Sequence, residues 1–322
     1  MRRRDFIMAS AGLAATAASG AALAAAPAKD SRTDVEAARL WAAERRFLDT
    51  SFGRIAYVDR GAGPAVLFLH GFPLNGFQWR GAVERLSARR RCLAPDSMGL
   101  GYTEPAAGQD LAPAAQARML EAFLDRLGVE QVDLIASDSG GAVAQLFMAG
   151  APQRVRTLLL TNCDVEPDSP PPALKPVIEM AHAGTYPDKW LAPWLADKAL
   201  ARSPAGLGGI CYTRPDRLSD ATIETYLAPL VRTPERKALV NAYAIGLEIN
   251  PLAGLEPRLR RCFVPTRVVW GMSDDIFSSR NPDYLAGVLP NFRGVRRIPE
   301  AKLFFPEEYP DLIAGEALKL WA

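Results

Sequence analysis

Histidine is scarce in this sequence: 322 residues contain only two, His70 and His182. Cysteine is also rare, and none of the four cysteines has the spacing of a CxxC pair. With so few nitrogen and sulfur ligands a zinc site is not expected, and no other metal or organic cofactor is implied. The net charge is only +2, which gives no reason to expect nucleic acid or an acidic partner.

Long apolar runs are missing as well. After the N-terminal segment, the sequence has no second apolar span of about 20 residues, the length that crosses a bilayer. A hydrophobic fraction of 49% and a charged fraction of 23% are those of an ordinary globular protein. A length of 322 residues suits one α/β domain with a smaller insertion, and the oligomeric state stays open.

The N-terminal segment has the layout of an export signal. Arg2–Arg4 form a charged start, a weakly apolar stretch of small residues follows, and Ala24–Ala26 offer a cleavage site before Pro27. The run Arg3-Arg4-Asp5-Phe6-Ile7 is similar to the twin-arginine motif, whose carriers export folded proteins. Because the segment is rich in Ala, Gly and Ser rather than Leu, we expect a signal peptide over 1–26, a periplasmic location and no stable membrane insertion after cleavage.

After a leader over 27–45, apolar segments alternate with amphipathic ones. Continuous apolar runs predict buried strands at 65–69, 132–136, 155–160 and 266–270, and shorter runs predict strands at 54–58, 91–94 and 295–298. Helical spacing predicts helices at 79–88, 114–127 and 310–321. Strands without polar alternation, separated by helices, indicate an α/β protein with a mostly parallel sheet covered on both faces.

The alternation stops between residues 165 and 250. Prolines cluster there, as at Pro170–Pro172, and aromatic side chains are frequent, including Trp190 and Trp194. We therefore expect a helical insertion at 165–250 on a core formed by 46–164 and 251–322.

One strand-to-helix junction carries two neighbouring groups that could act as nucleophiles. The segment 134–145, LIASDSGGAVAQ, places Asp138 and Ser139 side by side after an apolar strand. A nucleophile on such a tight turn needs small residues two positions before and two positions after it. Both candidates meet this condition, so the spacing alone leaves both open.

Four motifs, taken together, resemble the α/β-hydrolase family. They are His70-Gly71-Phe72-Pro73 after a strand, the turn Pro95-Asp96-Ser97-Met98-Gly99-Leu100-Gly101, the junction around Asp138, and Trp270-Gly271-Met272-Ser273-Asp274. The resemblance covers nearly the whole mature chain. It implies an α/β-hydrolase fold in which the helical insertion at 165–250 is the cap.

The resemblance also implies roles for particular residues. The family's order of nucleophile, one variable residue and two glycines fits Asp138, with Ser139 as the alternative nucleophile. The backbone N–H groups of Phe72 and Ser139 would form the oxyanion hole, and Asp274 matches the family's second acid. An aspartate nucleophile is found in haloalkane dehalogenases and epoxide hydrolases, where the carboxylate attacks an sp³ carbon and leaves an ester on the enzyme.

The substrate pocket is expected to include His70, Asn162, Trp190 and Trp194. His70 belongs to the oxyanion-loop motif, and Asn162 ends a strand at the edge where open α/β sheets bind ligands. The two tryptophans lie in the cap, where their rings form a wall or their N–H groups act as donors. Asp164, near Asn162, is either a supporting group or a turn cap. Four cap tyrosines are equivalent candidates for a proton donor to an opening epoxide: Tyr186, Tyr212, Tyr226 and Tyr243.

The family pattern fails at the histidine that activates water. Counting back from Pro310 places Leu303 in that position, and a leucine cannot take a proton. A general base supplies about 10²–10⁴-fold in rate, so its loss predicts slow or absent turnover. Possible substitutes are Lys302 with a lowered pKa, a carboxylate such as Asp164 or Asp274, and His182 reaching in from the cap.

We therefore expect a secreted hydrolase that uses Asp138 on a small, mostly apolar substrate: a haloalkane, a haloacid or an epoxide. One alternative is an esterase-like hydrolase that uses Ser139. The other is a protein that keeps the hydrolase pocket and binds a ligand without turnover.

Overall fold

The chain, described by a computed structural model over residues 34–322, is built on one sheet of nine strands within that range. The strands are β1 (Arg46–Thr50), β2 (Gly53–Arg60), β3 (Ala65–Leu69), β4 (Arg91–Pro95), β5 (Glu104–Pro105), β6 (Val132–Asp138), β7 (Val155–Cys163), β8 (Thr266–Gly271) and β9 (Phe292–Ile298). Their order is β1-β2-β4-β3-β6-β7-β8-β9, and β5 pairs with β2. The pairs of β2 with β1, β4 and β5 are antiparallel, and all pairs from β4 to β9 are parallel.

The central strands are apolar because both of their faces are covered. Every residue of β3 and β6 is buried, which matches the continuous apolar runs in the sequence. Strand β1 was not among the predicted strands. It lies at the edge of the sheet, it reads RFLDT, and none of its residues is fully buried, so it lacks the apolar signal of the inner strands.

The helices cover the sheet and form the cap. They are α1 (Asp34–Glu44), α2 (Arg80–Leu86), α3 (Pro113–Arg126), α4 (Ser139–Gly150), α5 (Lys175–His182), α6 (Ala192–Ala196), α7 (Lys198–Arg202), α8 (Leu207–Cys211), α9 (Asp220–Val231), α10 (Pro234–Gly246), α11 (Glu256–Leu259), α12 (Asn281–Val288), α13 (Phe305–Glu308) and α14 (Pro310–Trp321). Helix α4 packs on β6, β7 and the neighbouring helix α3. Helix α14 packs on β7, β8 and the neighbouring helix α2. The predicted fold class, a mostly parallel sheet flanked by helices, is confirmed.

Helices α5–α10 form the cap, and buried charged groups hold it on the core. The guanidinium of Arg236 in α10 donates to the carbonyl oxygens of Thr103 and Gly101 at 2.7 and 2.6 Å. A second anchor is the carboxylate of Glu307, which pairs with Arg80 at 2.7 Å. The hydroxyls of two cap tyrosines, Tyr212 and Tyr226, donate to the same carboxylate at 2.8 Å each. These bonds set the position of the cap above the carboxyl ends of the strands.

Helix α1 occupies part of the leader that the sequence places at 27–45. The expected signal peptide at 1–26, its cleavage site and the start of the leader lie outside the described residues. Within 34–322, no helix has both the length and the apolar character needed to cross a membrane. Over the same residues there is no group of three or more His, Cys, Asp or Glu side chains suited to a metal ion.

Candidate active site

The turn between β6 and α4 bends at Asp138. This residue has φ 55° and ψ −135°, and it is the one non-glycine residue with a positive φ in the described part of the chain. Such a conformation costs on the order of 1–3 kcal/mol and tends to occur at functional sites. Ser139, in contrast, is the first residue of α4. The strained turn therefore falls on Asp138, which separates the two registers that the sequence left open.

Glycines make room for this turn. A Cβ atom at Gly140 would lie 2.6 Å from the carbonyl oxygen of His70, and a Cβ atom at Gly71 would lie 2.6 Å from the Cβ of Asp138. Neither approach is possible without movement of the backbone. The small residues around Asp138 are therefore required by the close passage of the loop that follows β3.

Two backbone N–H groups hold one oxygen of the Asp138 carboxylate. The N–H of Phe72 donates to Oδ1 at 2.8 Å, and that of Ser139 donates to the same oxygen at 2.6 Å. Burial raises the pKa of Asp138, and these two hydrogen bonds oppose the rise. No backbone N–H of residues 34–322 donates to Oδ2. The two N–H groups expected to form an oxyanion hole thus already converge on the carboxylate.

Asp138 lines a cavity of about 250 Å³ between the core and the cap. Its walls are mainly apolar and aromatic, and oxygen-bearing side chains come from Asp138, Ser139, Asp164, Ser169 and Tyr186. A volume of this order suits a small molecule. The cavity therefore offers a carboxylate to a small, mostly apolar ligand.

The residues expected in the pocket divide into two groups. Trp190 and Trp194 line the cavity, with their ring centroids 5.4 Å apart. His70 and Asn162 are not among the lining residues. His70 is buried, and both ring nitrogens are used: Nδ1 bonds to the carbonyl oxygen of Gly71 at 2.9 Å, and Nε2 accepts from the N–H of Ser97 at 2.9 Å. Burial lowers the pKa of His70, so this ring supports the loop as a neutral group.

Neither of the two side chains proposed as distant substitutes for the base reaches the cavity. Lys302 directs its Nζ to the carbonyl oxygen of Gly209 at 2.7 Å and lies 4.0 Å from Asp275. His182 is exposed, and its Nε2 lies 3.0 Å from the carboxylate of Glu248. The geometry therefore gives no support to either residue as the base.

Leu303 forms part of the cavity wall, at the position where the sequence motifs place the catalytic histidine. Its side chain is 1% exposed. The next residue is fixed to the cap, because the N–H of Phe304 donates to the carbonyl oxygen of Cys211 at 2.9 Å. An apolar side chain thus stands where a proton acceptor is expected.

Asp274 has partners, but no described residue acts as a base beside it. Its Oδ2 accepts from Nδ2 of Asn162 at 2.7 Å, and its Oδ1 accepts from the N–H of Ile276 at 2.9 Å. Asn162 also exchanges two hydrogen bonds with the backbone of Gly271, which ties the ends of β7 and β8 together. Burial raises the pKa of Asp274 to about 6, and the Asn162 bond opposes that rise. The structure therefore places Asn162 behind the cavity, as a support for Asp274.

Asp164 lies in the cavity wall, although the sequence left it between a supporting group and a turn cap. It is 7% exposed, and one carboxylate oxygen accepts from the hydroxyl of Ser169 at 2.7 Å. Burial, and next the negative charge of Asp138, raise the pKa of Asp164 to about 7. Ser169 was missed by the sequence analysis because only the fold of the loop after β7 brings it beside Asp164.

The structure separates the four cap tyrosines. Tyr212 and Tyr226 are bonded to Glu307, and Tyr243 has its hydroxyl 3.2 Å from that of Ser139. Tyr186 alone of the four lines the cavity, and its ring lies 5.7 Å from that of Phe72. No described residue forms a hydrogen bond with its hydroxyl, so Tyr186 is the cap tyrosine free to donate to a ligand.

Comparison with known proteins agrees with this geometry. Residues 64–208 match the family model described as alpha/beta hydrolase fold. Haloalkane dehalogenase 2 of Mycobacterium tuberculosis is 29% identical over 307 residues, which span 87% of this chain and 96% of the relative. Epoxide hydrolase 2 of Siraitia grosvenorii is 40% identical over 101 residues, or 31% of this chain and 32% of the relative. The ligand-free structure of the epoxide hydrolase CorEH superposes with a TM-score of 0.70 at 22% identity, covering 86% of this chain and 98% of that one.

The chain has the α/β-hydrolase fold, as both the family model over residues 64–208 and the solved structures indicate. Its relatives include haloalkane dehalogenases and epoxide hydrolases, as the motifs in the sequence predicted. In this protein the strained strand-to-helix turn at Asp138 (the elbow), the two N–H donors and the cavity are all present. At the position where the sequence motifs place the histidine, the chain carries Leu303.

Proposed function

We propose that this α/β-hydrolase uses Asp138 as a nucleophile on an electrophilic sp³ carbon of a small, mostly apolar molecule, such as a haloalkane, a haloacid or an epoxide. The observation that carries the proposal is the strained elbow at Asp138, whose Oδ1 is held by the N–H groups of Phe72 and Ser139. The oxygen that these donors do not hold, Oδ2, attacks the carbon. The products of this step are an ester on Asp138 and a halide or alkoxide leaving group.

The two N–H donors serve both halves of the reaction. Before attack they hold the carboxylate in position, and in the second half they stabilise the oxyanion that forms when water adds to the ester. Donors fixed by the backbone in a buried site need no reorganisation at that moment, and one such donor contributes about 10²–10³-fold in rate. The apolar walls keep other water away from the ester.

Tyr186 favours an epoxide among the possible substrates. Opening an epoxide breaks one ring C–O bond and creates an alkoxide on the same molecule, and an acid that donates a proton to this oxygen accelerates the ring opening. Tyr186 lines the cavity and its hydroxyl has no hydrogen-bond partner among the described residues, so it is available to donate. Haloalkanes need no proton on the leaving group.

Ser139 is a weaker candidate for the nucleophile. Its hydroxyl lies 3.2 Å from the hydroxyl of Tyr243, and it also forms a hydrogen bond with the Asp138 carboxylate. Burial raises the pKa of Tyr243, so this phenol stays protonated at neutral pH and cannot activate the serine. The esterase-like alternative therefore lacks the elbow conformation and a histidine beside the serine.

A ligand-binding protein that does not turn over is the second candidate function. It is favoured by one observation, the buried Leu303 at the histidine position. In that case Asp138 would be alkylated at most once, and no product would follow.

The test is to expose the mature protein to styrene oxide and 1-bromohexane and to follow intact mass, peptide mass and product per protein. We expect an adduct on the peptide that contains Asp138. Asp138→Asn should abolish it, whereas the matched change Ser139→Ala should leave most of it. Many products per protein would count against the binding protein, and an adduct on Ser139 would overturn the assignment of the nucleophile.

Export by the twin-arginine route is also part of the proposal. It is supported by the Arg3-Arg4 pair, the small-residue stretch and the Ala24–Ala26 site in the sequence. We expect a periplasmic protein that starts at Pro27, and Lys at both Arg3 and Arg4 should leave the uncleaved chain in the cytoplasm. Cell fractionation with N-terminal mass measurement decides this, and cleavage of the Lys variant at an unchanged rate would contradict the route.

A further inference from the structure

The reaction proposed above needs a base for its second half, and the usual position of that base is filled by Leu303. The two histidines and Lys302 point elsewhere, and each has partners of its own. Apart from Asp138, the carboxylate in the cavity wall is that of Asp164. Its chemistry decides whether the ester can be cleaved.

Asp164 is held in the cavity by its surroundings. It directly follows β7, where Cys163 pairs in register with Asp138 at the end of β6. Its carbonyl oxygen accepts from the side-chain amide of Gln145 at 2.8 Å, and the hydroxyl of Ser169 holds one carboxylate oxygen at 2.7 Å. The hydrogen bonds that described residues make to this carboxylate come from the Ser169 hydroxyl and from the N–H of Asp164 itself, and the residue is 7% exposed. A buried carboxylate that faces a substrate cavity and has only these local partners is placed to accept a proton.

We propose that Asp164 is the general base that activates water against the ester on Asp138, in place of the absent histidine. This inference rests on the proposed function, because it presupposes that the ester forms.

The step balances in atoms and charge. A carboxylate oxygen of Asp164 takes a proton from water, and the water oxygen bonds to Cγ of Asp138. The oxyanion that results stays on Oδ1, between the N–H groups of Phe72 and Ser139. When it collapses, the bond from Cγ to the alkyl oxygen breaks, and Asp164 returns its proton to the leaving alkoxide. The alcohol departs, and the Asp138 carboxylic acid releases a proton to restore the carboxylate.

The two carboxylates take turns because they share one cavity. Burial, and next the charge of Asp138, raise the pKa of Asp164 to about 7. Alkylation removes the charge of Asp138, so the pKa of Asp164 falls and a larger fraction of the base is ionised when it is needed. The other groups that face Asp164 are Asp168, whose charge raises its pKa, the Ser169 hydroxyl, which lowers it, and the Tyr243 phenol.

The experiment is a single-turnover reaction in ¹⁸O water, with styrene oxide and with 1-bromohexane as probes. The amount of ester on the protein is followed over time by intact-mass measurement between pH 5 and 9. We expect the wild-type ester to decay and to leave one ¹⁸O on the Asp138 peptide. Asp164→Asn should slow the decay by about 10²–10⁴-fold, so that the ester accumulates. The matched control Asp275→Asn makes the same chemical change at an exposed carboxylate and should behave as wild type.

A second variant separates a base from a residue that only supports the fold. Ser169→Ala removes the hydrogen bond that stabilises ionised Asp164, so the rise of the hydrolysis rate with pH should move to higher pH. Equal decay in wild type and Asp164→Asn, or a wild-type ester that never decays, would overturn the role of Asp164 and leave the alkylation step standing. Absence of any ester on the wild type with both probes would overturn the proposed function and the base together.

Discussion

Replacing Leu303 by histidine tests the missing-base reasoning most directly. Leu303 is 1% exposed and lines the cavity that contains Asp138. Its loop also lies against the loop of Asp274, because the N–H of Ser273 donates to the carbonyl oxygen of Ala301 at 3.0 Å. A histidine at 303 would therefore stand between the nucleophile and a carboxylate able to orient it.

The expected gain follows from what a positioned base contributes. General-base catalysis supplies about 10²–10⁴-fold, which corresponds to about 3–5 kcal/mol of barrier at 1.36 kcal/mol per tenfold change. In the Asp164→Asn background, which lacks the proposed base, we expect Leu303→His to accelerate decay of the Asp138 ester by a factor in this range. The rate of ester formation should change little. Replacing a buried leucine by a polar ring should lower the free energy of unfolding by about 1–3 kcal/mol, so folding is checked by circular dichroism.

The assay is the decay of the styrene oxide adduct, followed by intact mass after excess probe is removed. Leu303→Asn serves as the matched control, since it brings polarity without a base and should give no acceleration. Adding Asp274→Asn to the histidine variant should remove at least tenfold of the gain, because the ring loses its orienting carboxylate. Acceleration by asparagine equal to that by histidine, or a folded histidine variant with unchanged decay, would refute the reasoning.

Three further predictions concern the cap, pH and stability. Tyr186→Phe should slow ester formation from styrene oxide by about 10²-fold and leave that from 1-bromohexane nearly unchanged, as quenched-flow mass measurement will show. The pKa of Asp164 is about 7 in the folded protein, whereas its ordinary value is 3.8. The folded state therefore binds the proton more tightly than the unfolded state, and the free energy of unfolding falls as pH rises from about 4 to 7. Asp164→Asn cannot titrate, so urea unfolding should find it more stable than wild type at pH 8, by up to about 4 kcal/mol, with a smaller difference at pH 4. Glu307→Gln leaves the buried Arg80 without its main counter-charge and should cost about 3–5 kcal/mol in the same assay, whereas Asp311→Asn at an exposed ion pair should cost under about 1 kcal/mol.

Much of the architecture could be predicted because its signals are local. The buried strands β3, β6, β7 and β8 are continuous apolar runs, and helix α14 was placed at 310–321, its observed bounds. The elbow was also predictable as a place, since a strand, two glycines and a helix follow one another in the chain. Which of Asp138 and Ser139 sits on the turn needed either the family pattern or the backbone angles, because both have small neighbours.

What each side chain faces could not be predicted in the same way. Lys302 and Leu303 are neighbours in sequence, yet one bonds to the cap backbone outside the cavity and the other lines the cavity. Asn162 was expected in the pocket but turns to Asp274, and the polar loop residue Asp164 enters the pocket instead. Such directions depend on packing between segments far apart in the chain, on which local patterns carry no information.

By itself, the sequence determined the parallel sheet, the helical insertion, the strained junction and the absence of a histidine near the end of the chain, since each is written in residue type and short-range spacing. The tertiary structure decided which carboxylates share one cavity and which tyrosine joins them. It also decided that Leu303 closes the space that a histidine would fill. The physical reason is that pKa shifts and hydrogen-bond partners arise from burial and from distances between segments, and these exist only once the cap is packed on the core.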